Sequence, residues 1–492
     1  MNRQVTRVAW TAMALIVALI LGTTYWQTWA RPGLAARQDN EIQRVAEFQV
    51  RRGLILAPGR VLARNRAVKR NGKTLYFRRY PQGKLTANVV GYSTAARSRA
   101  GLEKSMNGVL TGTQQNLSSL VERQLDEARG KPIVGDTVVT TLDVHAQQVA
   151  LEQLGRTCGA VVALDPRSGK LLVMASSPSY NPNFVETQFS KVGKITANCR
   201  PAAPLVNRAS QGLYPPGSTF KVVTASAALE SNRFAPDSEF VDPGYCIAYG
   251  KRVNNFDTER PFGRLDLATA LKYSVNSVFC NIGKALGAKR ILDQAKKFGF
   301  YERPPLETPD GERYPSGLYR KGELWYPTHD SDVDAGRMAF GQERLLVTPM
   351  QMAMVAGAIG NAGILMRPYV VDRIVSPRGT TVSRTEPERL DRPVGPLNAR
   401  DIGDMMVSAV QGGTGTAAQI PGYRIGGKTG TAETGVAGLN TTWFIAFAGK
   451  PNARPEVAIA VALERQSLTG GATAAPIARA VMEAILSARG NP

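Results

Sequence analysis

From Val8 to Ala30 the chain runs for 23 residues without a charge, dense in Leu, Ile, Val, Ala and Trp. At about 1.5 Å rise per residue, a helix of that length covers roughly 30 Å, about one hydrocarbon core. Arg3 and Arg7 precede it, and Tyr25, Trp26 and Trp29 stand where an interfacial aromatic belt would lie. The stretch is long for a signal peptide, its far end is aromatic, and no small-x-small cleavage site stands before Arg31. The expectation is an uncleaved single-pass anchor over 8–30. Arg31 and Arg37 beyond the span weaken the charge asymmetry, yet the short tail 1–7 is the simpler part to leave in the cytoplasm. Everything after residue 31 is then expected outside the cell membrane.

Beyond the anchor the 492-residue chain is too long for one ordinary core and implies two or three units. An apolar fraction of 43% and a charged fraction of 20% fit a globular protein. Only His145 and His329 are present, which nearly excludes His-centred triads and multi-histidine metal sites. The cysteines, Cys158, Cys199, Cys246 and Cys280, form no metal-like pair. Buried thiols, or one or two bridges in an exported domain, both remain open. The formal charge of +22 draws polyanions, whether nucleic acid, anionic lipid or acidic wall polymer. Between Phe48 and Leu102 there is no acid, while 13 residues are Lys or Arg. A solvated positive face is the plain reading of this small basic unit; contact with anionic lipid or an acidic polymer is the functional one. No zinc-finger, recognition-helix or RNA-binding aromatic pattern accompanies it, which argues against nucleic acid.

Residues 34–50 fit a helix or stalk above the membrane. Thr74–Tyr80 and Leu85–Tyr92 read as strands, residues 103–130 as more helical, Asp136–Leu142 as a strand and Asp143–Leu154 as a helix. Gly159–Leu164 and Lys170–Ser176 flank the turn Asp165-Pro166-Arg167-Ser168-Gly169, a hairpin signal. Helices are expected from Pro216-Gly217 through Leu229, over Leu265–Leu286 and over Pro349–Ile359, with an irregular excursion at 301–334. Arg424–Gly427, Thr442–Ala448 and Val457–Leu463 read as strands before a closing helix at Ala474–Leu486. That order is α+β, with a central antiparallel sheet flanked by helices.

The chemistry concentrates at three places. In Tyr214-Pro215-Pro216-Gly217-Ser218-Thr219-Phe220-Lys221 the prolines stop any preceding helix and Gly-Ser opens a new one. Ser218 and Lys221 then share one face of the first turn, beside unpaired backbone N–H groups suited to developing negative charge. Lys221 can take the hydroxyl proton if burial or a second cation depresses its pKa. Alone, Ser-x-x-Lys is more often an N-cap serine and a surface lysine. Ser274-Val275-Asn276 lies 56 residues on, where short polar side chains interrupt an apolar helical stretch. Its plain reading is a helix junction with local caps. Lys428-Thr429-Gly430-Thr431 follows the strand Arg424–Gly427; glycine there permits close approach of a ligand backbone, and lysine beside hydroxyls suits a carboxylate. The Gly412–Gly415 run ahead of it lacks phosphate-loop spacing.

Ser-x-x-Lys, Ser-x-Asn and Lys-Thr-Gly in this order resemble the three motifs of the penicillin-binding protein and serine β-lactamase superfamily. The likeness extends to Gly159–Pro166, Ser168-Gly169-Lys170, Ala175–Pro178, Asn207-Arg208-Ala209, Phe340-Gly341-Gln342, Val347-Thr348-Pro349, Asn361-x-Gly363 and Trp443-Phe444. It is strong over about 150–489. Arg52-Gly53-Leu54-Ile55 and Leu62-Ala63 look like the start of the class B non-catalytic domain, although Ala57-Pro58-Gly59 stands where that family places Asp-Arg-Asn-Gly. The whole chain is most similar to class B members of the actinobacterial A type, which are monofunctional D,D-transpeptidases. The implied layout is a cytoplasmic tail 1–7, an anchor 8–30, a basic non-catalytic unit 31–150 and a penicillin-binding transpeptidase domain 151–489.

By this resemblance Ser218 is the nucleophile towards the bond between the last two D-alanines of a stem peptide, and Lys221 its base. Lys428 would help keep Lys221 neutral, Ser274 would relay the proton to the leaving amine, and Asn276 would hold the substrate amide. The N–H groups of Ser218 and Thr431 would form the oxyanion hole; Lys428, Thr429 and the Thr431 hydroxyl, with Gly430 allowing close approach, would receive the terminal carboxylate. Penicillin would acylate Ser218 by the same path, and no metal or organic cofactor is implied. A D,D-carboxypeptidase would use the same residues with water as acceptor, and a non-catalytic β-lactam sensor or wall scaffold would only bind. A β-lactamase is disfavoured by the anchor and by the want of a convincing Glu-x-x-Leu-Asn segment. No glycosyltransferase segment fits between anchor and catalytic domain, so the resemblance implies a separate multi-spanning glycosyltransferase as partner, beside the stem peptides, β-lactams and the cytoplasmic membrane.

Overall fold

A computed structural model describes residues 2–26, 47–70, 72–95, 97–113, 134–258 and 261–490. It begins with a helix, Asn2–Tyr25, of which Arg3–Tyr25 has a mean hydropathy of 1.9 and buries nothing against the rest of the protein. Its hydroxyls turn inward: Thr11 Oγ1 donates to the Arg7 carbonyl at 2.9 Å and Thr23 Oγ1 to that of Leu19 at 2.8 Å. Those bonds leave an almost wholly apolar exterior, as hydrocarbon surroundings demand. The expected span extends to residue 30, and 27–30 lie outside the described residues, as does most of the expected stalk.

The basic unit is organised by a six-stranded sheet. Strands β1 (Ile55–Ala57), β2 (Arg60–Arg70), β3 (Lys73–Arg79) and β4 (Thr137–Thr140) supply four members, and Val371–Val375 and Thr381–Arg384 supply the rest. The order runs Thr381–Arg384, Val371–Val375, β4, β1, β2, β3, with β1 parallel to β4 and the other pairs antiparallel. Two strands thus come from far along the chain, and through them the sheet joins the basic unit to the larger C-terminal one.

Thr74–Tyr80 is a strand nearly as expected, but Leu85–Tyr92 is not. It forms a 3-10 turn at Gly83–Leu85 and a helical turn at Ala87–Val90. The reason is burial: Ala87, Asn88, Val89 and Val90 are all buried, whereas an alternating strand hides one side. Gly91, at φ 73°, ends the turn where a Cβ would stand 1.9 Å from the Ala100 carbonyl oxygen. Within 103–130, helices are found at Gly101–Ser105 and Asn107–Thr111, and 114–130 lie outside the described residues.

These short helices carry Glu103, wholly buried between two guanidinium groups. Its carboxylate meets Arg78 Nε at 2.5 Å and Arg52 Nη2 at 3.0 Å. Arg52 also donates to Asn107 Oδ1 at 2.6 Å, and Arg78 to the Gly53 carbonyl at 2.9 Å. Burial alone would raise the carboxyl pKa, but Arg78 and Arg52 overcome that and hold it below its ordinary value.

The larger unit is built on a five-stranded antiparallel sheet in the order Arg424–Val436, Leu439–Gly449, Val457–Gln466, β5 (Gly159–Leu164), β6 (Leu171–Ser177). Every residue of β5 and β6 is buried, so both faces are covered and the strands read as near-continuous apolar runs. One face, with Ala160, Val162, Trp443, Ile445 and Phe447, packs on the helix Pro349–Gly360 and its neighbours. The other, with Val161, Ala163, Phe444, Ile459 and Val461, packs on the helices Val144–Leu154 and Gly470–Gly490. This is the expected α+β architecture. All four cysteines form bridges, Cys158–Cys199 and Cys246–Cys280, resolving the choice that spacing left open.

Replacing Glu103 by alanine leaves two buried cations without a counter-charge, a change that typically costs about 3–5 kcal/mol. Thermal unfolding followed by circular dichroism should show a correspondingly lower midpoint for Glu103→Ala.

Candidate active site

Ser218 sits in a single 3-10 turn, Gly217–Phe220, that feeds directly into the helix Lys221–Glu230. The helix thus starts where the sequence predicts it, with a tighter pitch in its first turn. In a 3-10 turn residues three apart eclipse one another, so Ser218 and Lys221 share a side more closely than in an α-helix. The turn is held from three directions. Gly217 N donates to the Gly341 carbonyl at 3.1 Å, and a Cβ on Gly341 would stand 1.9 Å from the Gly217 carbonyl oxygen. Trp443 Nε1 donates to the Pro215 carbonyl at 2.9 Å. Tyr214 OH donates to Glu464 Oε1 at 2.8 Å.

Lys221 is wholly buried at the start of its helix. Its Nζ donates to the Ser274 carbonyl at 2.7 Å and to Asn276 Oδ1 at 2.8 Å, and lies 3.2 Å from Ser274 Oγ. Burial, and then the charge of Lys428, push its pKa well below the ordinary lysine value. A neutral amine has two N–H donors and one lone pair. The carbonyl and the amide oxygen take the two donors, which leaves the lone pair for a hydroxyl proton. Ser218 is half-exposed, and among the described residues its Oγ has no hydrogen-bond partner, so the hydroxyl is free to turn.

Ser274 explains why the stretch expected as one helix, Leu265–Leu286, is broken. A strand, Gly263–Asp266, precedes helix Leu267–Lys272, and a second helix, Asn276–Leu286, comes after Ser274 at φ 62°. A left-handed serine costs about 1–2 kcal/mol. In return its carbonyl and its hydroxyl both face Lys221 Nζ. Asn276, at the first position of the second helix, accepts from Lys221 and donates through Nδ2 to the Asn254 carbonyl at 3.0 Å. The helix start is pinned by Ser277: its Oγ donates to Asp242 at 2.5 Å and its N–H to Asn255 Oδ1 at 3.0 Å. The Cys246–Cys280 bridge ties the same helix to the hairpin Tyr245–Asn254.

The third motif lies inside a strand rather than after one, because Arg424–Val436 continues straight through it. Gly426 and Gly427 let it pass under aromatic rings, where a Cβ would meet Phe447 Cζ at 2.3 Å and Phe444 Cζ at 2.4 Å. Lys428 is wholly buried; its Nζ donates to Ser274 Oγ at 2.8 Å and to the Thr429 carbonyl at 3.0 Å. Burial lowers its pKa to about 7. A Cβ on Gly430 would stand 2.9 Å from the Pro216 carbonyl oxygen, and one on Gly217 3.0 Å from that of Thr431. The turn of Ser218 and the strand of Thr431 are therefore in backbone contact with no side chain between them. Thr431 Oγ1 accepts from Gly470 N at 3.3 Å.

All three motifs converge. Lys221, Ser274, Asn276 and Lys428 form one hydrogen-bonded cluster, with Ser218, Thr429, Gly430 and Thr431 beside it. Two features escape sequence reasoning. Thr414, in the glycine run that lacks phosphate-loop spacing, shares a hydroxyl hydrogen bond with Thr429 at 2.7 Å. Glu464 binds Arg208 Nε at 2.8 Å as well as Tyr214, linking the Ser218 turn to the last sheet strand. Their only signals are a threonine within a glycine run and a glutamate at the end of the apolar run Val457–Leu463.

Residues 159–483 match the penicillin binding protein transpeptidase domain, and residues 52–138 the penicillin binding protein A dimerisation domain. The chain is 36% identical to the peptidoglycan D,D-transpeptidase PbpA of Mycolicibacterium smegmatis, covering 99% of both chains. It is 35% identical to the protein of the same name from Mycobacterium tuberculosis, over 100% of both. The solved structure of penicillin-binding protein A from M. tuberculosis, a ceftriaxone acyl-enzyme, superposes with a TM-score of 0.79 at 32% identity, covering 89% of this chain and 99% of that one.

Removing Glu464 leaves Tyr214 OH and the Nε of the buried Arg208 without their acceptor, a loss of about 1–3 kcal/mol. Denaturant unfolding should show Glu464→Ala destabilised by that amount, and Glu464→Gln, which keeps an acceptor oxygen, by less.

Proposed function

Because this chain belongs to the class B penicillin-binding proteins, we propose that it cross-links peptidoglycan as a serine D,D-transpeptidase. The observation that carries the reading is the pair of buried lysines sharing Ser274 Oγ next to an unengaged Ser218. Ser218 Oγ attacks the carbonyl carbon between the two terminal D-alanines of a donor stem peptide, and its proton passes to the lone pair of Lys221. The oxygen that gains charge is met by the backbone N–H groups of Ser218 and Thr431; one such donor is typically worth about 3 kcal/mol. As the carbon–nitrogen bond breaks, the proton moves from Lys221 through Ser274 Oγ to the departing amine, and D-alanine leaves. An acceptor amine then attacks the Ser218 ester, its proton returns by the same route, and the cross-link forms.

Asn276 positions Lys221 in the resting site and turns an amide toward the donor backbone when substrate enters. Lys428, Thr429 and Thr431 receive the terminal carboxylate, whose charge favours the protonated form of Lys428. A β-lactam takes the first half of this path, since its amide acylates Ser218 while the leaving nitrogen stays attached.

The proposal places residues 1–7 in the cytoplasm, the span 8–30 in the membrane, the basic unit 31–150 above it, and the catalytic unit 151–489 outside. The strands to be joined come from a multi-spanning glycosyltransferase working alongside. In support, the anchor is the one helix among the described residues long and apolar enough to span a membrane, with arginines at its N-terminal side, and the disulfides suit an oxidising compartment.

Two measurements on the full-length protein in detergent test this. Fluorescent penicillin should label the native chain on a denaturing gel and leave Ser218→Ala and Lys221→Ala unlabelled, with all three equally folded by circular dichroism. With a polymerised pentapeptide glycan the native enzyme should form dimeric stem peptides. Release of D-alanine without dimers, even with an amino acceptor present, would identify a carboxypeptidase.

A further inference from the structure

We propose that the β2–β3 hairpin is a docking surface for the anionic headgroups of the membrane that holds the anchor helix. The register sets the composition of one face. Arg64 lies opposite Arg79, Arg66 opposite Phe77, Val68 opposite Leu75, and Arg70 opposite Lys73. Residues directly opposite one another, and those two apart along a strand, point the same way. One face therefore carries Arg64, Arg66, Arg70, Lys73 and Arg79, all exposed, around the half-buried pair Val68 and Leu75. None of the five forms an ion pair among the described residues.

The arrangement is costly for a free surface. Like charges directly opposite are destabilising, and here two of the cross-strand pairs, Arg64–Arg79 and Arg70–Lys73, are of that kind with no carboxylate to relieve them. β3 is also the outer strand of the six-stranded sheet, its outer edge met at Tyr76 by the Phe48 carbonyl. A counter-surface of negative charge removes the repulsion. The apolar pair in the middle of the cations selects among anions, because cations ringing exposed apolar side chains suit the boundary between headgroups and acyl chains.

The path of the chain supplies the proximity. Phe48 packs on Phe77 with ring centroids 5.4 Å apart and the rings tilted by 36°, and its carbonyl accepts from Tyr76 N at 2.7 Å. The polypeptide thus reaches β3 within 22 residues of Trp26 at the end of the anchor helix. That length spans roughly 75 Å fully extended and roughly 33 Å as a helix, so the hairpin is tethered near the bilayer surface. The inference rests on the membrane anchor and not on the acyl-enzyme chemistry.

The test is amide hydrogen exchange on the full-length protein in lipid nanodiscs, either of phosphatidylcholine alone or mixed with phosphatidylglycerol. Exchange over residues 64–79 should slow at least about threefold with the anionic lipid, and the effect should vanish at about 0.5 M salt. The quadruple variant Arg64→Gln, Arg66→Gln, Arg70→Gln, Lys73→Gln should lose the lipid dependence while keeping fluorescent-penicillin labelling. Equal exchange in the two lipids, or protection that survives high salt or the quadruple change, would overturn the proposal. So would protection given by added poly(glycerol phosphate) but not by phosphatidylglycerol, which would assign the surface to a wall polymer.

Discussion

Two lysine amines with no solvent exposure converge on a single serine hydroxyl, and the rest of the site is arranged around that constraint. Burial penalises charge on each, and the charge of Lys428 further penalises charge on Lys221, so the cluster resists holding two ammonium groups. Lys221 bears the larger penalty, from burial first and from Lys428 second. The same low-dielectric setting that favours the neutral Lys221 amine makes an unpaired amine expensive. That is why every neighbouring acceptor is used: the Ser274 carbonyl, Ser274 Oγ, Asn276 Oδ1 and the Thr429 carbonyl.

Holding those acceptors requires rigid parts from distant stretches of sequence. The left-handed Ser274 is strained and stays so only because both flanking helices are fixed, one of them through Asp242, Asn255 and the Cys246–Cys280 bridge. Lys428 keeps its place because its strand lies in the middle of a packed sheet edge, passing under Phe444 and Phe447. The turn of Ser218 is braced by Gly341, Trp443 and Glu464 through bonds that do not involve the lysines. Ser218 and Lys221 thus ride on one continuous turn and helix whose outer end is braced away from the lysine cluster.

Much of this is legible in the residues. Ser218 to Lys221 is a local spacing, and local spacing survives folding; so do the apolar runs of β5 and β6, the hairpin turn between them, and the anchor. What is not legible depends on contacts between remote segments. Leu85–Tyr92 alternates like a strand, but tertiary burial on all sides turns it into helix. Ser274 reads as a helix interruption, whereas its left-handed backbone is set by its surroundings. The strands Val371–Val375 and Thr381–Arg384 join the sheet of the basic unit across a long stretch of chain, a pairing no local pattern encodes. Thr414 and Glu464 are single polar residues whose partners only the fold supplies.

The central claim, that Lys221 is neutral because of burial and Lys428, is tested most directly by the pH dependence of the second-order rate of penicillin acylation. A base is active when deprotonated, so the rate must rise with pH through the Lys221 pKa and level off above it. With that pKa well below the ordinary lysine value, acylation should already be fast at neutral pH and fall only toward acid. In Lys428→Ala, where the neighbouring charge is gone, the rising limb should move to higher pH. A rate that instead climbs about tenfold per pH unit up to about pH 10, as for an ordinary lysine, would contradict the account.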